Sequence, residues 1–96
     1  MSRRAMFRFR LFVAGSAPNS TQAIANLAAF CRTHAPDCHE VEVVDVFREP
    51  KRALAESIFL TPTLVILAPP PVRRIVGTLS HVQTVLLALG VETLAA

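Results

Sequence analysis

The side chains able to do chemistry are few, and their spacing suits little of it. Cys31 and Cys38 stand seven residues apart with Pro36 between them. That spacing matches neither a redox Cys-x-x-Cys nor a zinc knuckle. Both are expected to be buried or half-buried free thiols, as in a reducing compartment. His34 and His39 lie near the thiols, His81 lies far away, and no ligand spacing joins the three, so no metal site is expected. Ser20 has no histidine partner at a fixed offset. Asp45 has no second carboxylate at one either, and a solvated or capping role is expected for it. Gly15 is the only glycine of its loop, which leaves no phosphate-cradling motif. Nothing assembles into a nucleophile, a base and an oxyanion site. The chain is expected to be no enzyme and to need no cofactor.

Charge offers a second kind of chemistry. The net charge is +3, and four of the ten basic residues (Arg3, Arg4, Arg8, Arg10) fall within the first ten positions. Arg73 and Arg74 form a further pair. Such patches suit nucleic acid, but no aromatic or glycine pattern of a known reader accompanies them. Glu40, Glu42, Glu49 and Glu56 also break the field, so no nucleic acid is expected. No run reaches the ~18 uninterrupted apolar residues of a membrane span. The basic N-terminus lacks the apolar core of a signal peptide, and a cytoplasmic location without membrane contact is expected.

The elements that would position these residues follow from periodicity. Phe7, Phe9, Leu11 and Val13 alternate with Arg8, Arg10 and Phe12, as in a strand with one mainly polar face at its start. The turn formers from Ala14 to Ser20 break that pattern. Ile24, Leu27, Cys31 and His34 then fall at helical spacing, with Asn19 or Ser20 available as a cap and Pro36 as a stop. Val41, Val43, Val44, Val46 and Phe47 return to β character against Glu40, Glu42 and Asp45. Strand, helix and strand so closely coupled suggest a right-handed βαβ unit with parallel strands.

After Pro50, Ala53, Leu54, Ala55 and Ile58 can make about two helical turns. Thr61-Pro62-Thr63 introduces the apolar run Leu64 to Leu67, typical of a buried strand. Pro69-Pro70-Pro71 ends it with a stiff, extended or cis-containing connection, and Val72 to Val76 reads as an edge strand with exposed cations. Ser80 is expected to cap a last helix whose Val82, Val85, Leu86 and Leu89 share a face, with Gly90 at the left-handed C′ position. The order βαβαββα, with helices on both faces of about four strands, is the thioredoxin-like α/β arrangement, and Pro62 takes the place of its cis-proline. All 96 residues form one small domain in this reading, with residues 1–6 and 91–96 as flexible termini.

A redox reading of that fold fails where it can be tested. Oxidoreductases of this kind carry a reactive thiol at the start of the first helix, where the backbone dipole lowers its pKa. Here that turn is Ala17-Pro18-Asn19-Ser20, without sulfur. Cys31 comes about three turns later, near the end whose dipole opposes the thiolate.

Three collinear stretches carry a family resemblance. Leu11-Phe12-Val13-Ala14-Gly15-Ser16-Ala17-Pro18-Asn19-Ser20 resembles the L-Y-V-A-G-x-x-P-N-S opening of the KaiB family. Val43-Val44-Asp45-Val46-Phe47-Arg48-Glu49-Pro50 is similar to its V-I-D-V-x-x-x-P segment. Thr61-Pro62-Thr63-Leu64, Pro69 to Gly77 and Leu79-Ser80 follow its T-P-T-L…P-x-P-x-R-[KR]-I-I-G-D-L-S block. The resemblance implies a non-enzymatic regulator that binds a KaiC-type ATPase or a paralogue, modulates its phosphorylation and timing cycle, and self-associates to dimers or tetramers. It also implies two accessible folds, a ground state and the thioredoxin-like form. The alternative is a thioredoxin-scaffold redox or stress-response protein without a clock role.

The resemblance carries the partner contacts onto Asn19, Gln22, Glu42, Arg73 and Arg74. Gln22 replaces a basic residue of the family and Glu42 a lysine, while Thr78 stands where Asp is usual, so this resembles a divergent paralogue. For a fold switch, Pro62 and the run Pro69, Pro70 and Pro71 bracket one strand, and cis and trans X-Pro differ by only ~0.5–1 kcal/mol. Ala88, where the family has glycine, favours helix by about 0.8–1.0 kcal/mol, and Gly90 offers a C-cap. Both are expected to bias the chain towards the thioredoxin-like form, the alternative being that they are neutral changes within a ground-state tetramer.

Overall fold

The computed structural model of the protein describes residues 6–90. The two terminal segments expected to be flexible fall almost wholly outside them, as do Arg3 and Arg4. Seven elements follow in the order β1 (Phe7–Val13), α1 (Pro18–His34), β2 (His39–Asp45), α2 (Pro50–Ala55), β3 (Thr63–Ala68), β4 (Arg73–Val76) and α3 (Val82–Ala88). This is the thioredoxin-like arrangement of the two that the sequence left open. The strands form one sheet in the order β2-β1-β3-β4. β2 runs parallel to β1, whereas β3 is antiparallel to β1 and β4 to β3.

The alternation of β1 sends its side chains into two cores. Phe9, Leu11 and Val13 join Leu64 and Ile66 of β3 beneath α1 and α3. Phe12 turns the other way and meets Val44, Val65, Ala53 and Ile58 under α2. Burying apolar surface on both sides of the sheet is what fastens a strand with two apolar faces. The Thr61–Pro62, Ala68–Pro69 and Pro70–Pro71 peptides are cis.

Several local expectations are corrected. Neither Asn19 nor Ser20 caps α1: Ala17 is its N-cap and Pro18 its first residue, where proline's missing N–H costs nothing. Ser20 is instead buried and its Oγ accepts the Ala14 N–H at 3.0 Å. The buried stripe of α1 is Ser20, Ala23, Leu27, Phe30 and Cys31, so Ile24 and His34 lie beside it rather than in it. Ser80 does not cap α3 either. His81 holds that position without a side-chain bond, and the Ser80 hydroxyl lies 3.1 Å from that of Thr78. Val82 is exposed, while Val85, Leu86 and Leu89 are buried. Gly90 does sit left-handed after the helix (φ +78°), with its N–H on the Leu87 carbonyl at 3.0 Å. Among the described residues no helix is long and apolar enough to cross a membrane.

Candidate partner-binding surface

The thioredoxin position for chemistry is occupied by ordinary structural groups. The loop from β1 to α1 is held by Asp45, whose Oδ1 accepts the N–H of Gly15 (3.1 Å) and of Phe47 (2.9 Å). This is the capping role expected for Asp45, and from the last position of β2 it ties together the loops that follow the two parallel strands. Cys31 and Cys38 are both free and buried. Burial pushes the Cys31 thiol up to about 11, because a thiolate there would lose its water. His34 packs its ring on Phe30 at 4.7 Å, and His39 Nδ1 bonds the Ala35 carbonyl. Among the described residues no group of three or more His, Cys, Asp or Glu could hold a metal ion.

What this fold leaves open is an apolar cleft between α1 and β2. The parallel register pairs Phe9 with Val41 and Leu11 with Val43, which places both valines on the α1 face. β2 is an outer strand, however, and the buried stripe of α1 centres on β1 and β3. Val41, Val43 and Ile24 are therefore left exposed, with Val43 at 45%. With Leu11, Leu27 and Ala28 they line a cleft of about 280 Å³. A second hollow continues from Ile24 and Val43 past Val13 to Gly15 and Asp45.

The opposite face of β2 carries charge. Glu42 receives Arg10 Nε at 2.8 Å and Arg52 at 2.7 and 2.9 Å. Arg10 also reaches Glu56 at 2.6 Å, and Arg52 reaches Glu49 at 3.3 Å. The Arg52 guanidinium, and after it that of Arg10, holds the Glu42 carboxyl down at about 2. Arg10 and Arg52 are correspondingly raised, first by their bonds to Glu42. Arg8 and Glu40 pair at 2.9 Å. Arg8 and Arg10, the described arginines of the basic N-terminal stretch, are thus both paired with carboxylates.

The five residues carried over as partner contacts do not form one patch. Asn19 and Gln22 are exposed on the first turns of α1. Glu42 lies on β2, already engaged by two arginines. Arg73 and Arg74 lie on β4, the other edge of the sheet. Arg73 is half-buried with Nη2 on the Pro69 carbonyl at 3.0 Å, and Arg74 binds the carbonyls of Ser57 (3.1 Å) and Glu56. Among the fold-switch positions, Pro62 is buried before β3, Ala88 packs against the core beneath α3, and Pro70 and Pro71 are exposed. Val41 and Val43 were legible as strand residues, but their exposure was not, since alternation with glutamates reads as a half-buried strand.

The KaiB domain profile matches residues 10–91. The circadian clock protein KaiB3 of Synechocystis sp. is 43% identical over 82 residues, which cover 85% of this chain and 80% of that protein. The circadian clock oscillator protein KaiB of Prochlorococcus marinus is 40% identical over 89 residues, covering 93% and 76%. In structure, the N-terminal domain of Synechococcus elongatus SasA matches with a TM-score of 0.75 at 17% identity, over 100% of this chain and 93% of that one. The thioredoxin of Fasciola hepatica matches with 0.69 at 18% identity, over 86% and 80%. At such identities the structural likeness concerns the fold alone.

Proposed function

This chain belongs to the KaiB family, and from that membership we propose that it is a non-enzymatic, clock-associated regulator that docks on a KaiC-type ATPase and modulates its phosphorylation cycle. The observation that carries this reading is the exposed apolar cleft of Ile24, Val41 and Val43 beside the outer strand β2. An apolar hollow beside a strand that is the sheet's edge among the described residues gives a partner both a desolvated anchor and backbone groups to bond. Asn19 and Gln22 extend the surface along the head of α1. Glu42 contributes by setting the position of β2 through Arg10 and Arg52, a different task from that of the family's lysine. The redox alternative lacks support, because burial pushes the thiol of Cys31, within α1's buried stripe, up to about 11.

Gel filtration of the purified chain with a KaiC-type ATPase of its own host tests this reading. Co-elution is expected for the wild type and its loss for Val43→Glu, which places a charge in the cleft at an exposed position. Failure of the wild type to co-elute with every such ATPase of the host would refute it.

A further inference from the structure

The sheet has a second open edge, at β4. Among the described residues this strand pairs with β3 alone. The Gly77 N–H donates to the Pro62 carbonyl at 2.9 Å, one step beyond the Thr63↔Val76 and Leu64↔Ile75 pairs. Bonded and non-bonded pairs alternate in an antiparallel ladder. Arg73 and Ile75 therefore turn their backbone groups towards β3, and Arg74 and Val76 turn theirs outwards. The side chains of Arg74 and Val76 lie on the α2 face, where with Ile58, Phe59, Leu60 and Thr63 they line a hollow of about 140 Å³.

Natural sheets close such an edge with short strands and charge. β4 is short and charged, yet large apolar residues stand open around it: Phe59 is 79% exposed, and Leu60, Val72 and Val76 are exposed as well. The charges are uncompensated too. Among the described residues no carboxylate pairs with Arg73 or Arg74, whose bonds go to neutral carbonyls. A second copy is a poor occupant, because two β4 edges side by side would bring four such arginines together. We propose that the β4 edge binds an extended segment of a partner protein in which apolar and acidic side chains alternate with outward ones. Its backbone would pair with Arg74 and Val76, an apolar side chain would fill the Phe59–Leu60 hollow, and a carboxylate would face Arg74. This surface is separated from the α1–β2 cleft by the width of the sheet, so both can be occupied together.

The test is a ¹⁵N NMR titration of the full chain at low salt with a short synthetic peptide of valines and glutamates separated by threonines. A second peptide has lysine for glutamate. Saturable shifts are expected at the amides of Phe59, Leu60, Arg74 and Val76, with the lysine peptide weaker by about tenfold or more. Arg74→Glu should invert that preference, and Phe59→Ser, at an exposed position, should weaken both peptides. Equal binding of the two peptides, no saturable shift, or shifts centred on Val41 and Val43 would overturn the proposal. A concentration-dependent dimer that Val76→Glu dissolves would assign the edge to a second copy instead. Tighter peptide binding after removal of residues 91–96 would assign it to the chain's own C-terminal segment.

Discussion

Glu42→Gln keeps the shape of a side chain that receives three bonds from two arginines and removes its charge. The carboxyl lies at about 2 against an ordinary 4.5. At ~1.36 kcal/mol per pH unit that difference would correspond to roughly 3 kcal/mol. The Glu42 side chain is 47% exposed, so water screens the pairs, and exposed ion pairs contribute at most about 1 kcal/mol each. With two arginines sharing one carboxylate, a loss of about 1 kcal/mol at pH 7 is expected. The folded value lies below the unfolded one, so this stabilisation is complete above about pH 4.5 and disappears as pH falls towards 2. Urea unfolding of both proteins should show the wild type more stable at neutral pH, with the gap closing through that window and shrinking at high salt. A gap that is absent at pH 7, or that stays constant down to pH 2, would show that Glu42 is not held by Arg10 and Arg52 as described.

Two further outcomes follow from the same structure. With its thiol at about 11, Cys31 should be alkylated at pH 8 through a thiolate fraction of only about one in a thousand; mass spectrometry should find it protected in the folded chain and labelled in urea, and rapid labelling in native buffer would contradict its burial. Ala88→Gly should weaken α3 by up to about 1 kcal/mol, enough to raise any competing fold about fivefold. In ¹⁵N NMR the wild type should show the thioredoxin-like pattern and the variant a larger second set of peaks, whereas a wild type without that pattern would refute the bias.

The strands were legible because a strand writes its two faces into every second residue. Phe9, Leu11 and Val13 against Arg8, Arg10 and Phe12 announced two different surfaces, and the structure buries one set under α1 and α3 and the other partly under α2. The empty head of α1 was equally plain, since a thiol either stands there or does not. Caps were less legible. Ser20 and Ser80 are good capping residues, but Pro18 can open a helix by itself, and a buried hydroxyl is more valuable on the Ala14 N–H than at a helix end.

The order of elements and the family could be read before folding, because each is written in local pattern or collinear motif. Beyond β4, whose exposed cations already read as an edge, strand order belonged to the tertiary structure. It depends on pairings between residues far apart in the chain, such as Arg10 with Glu42 and Val65 with Arg74. That order makes β2 and β4 the two outer strands. It thereby exposes Val41 and Val43 on one side and Val76 on the other, and separates Glu42 from Arg73 and Arg74. Residues that the motifs carried over together thus lie on two surfaces, because a sheet has two edges and folding sets β2 and β4 on opposite ones.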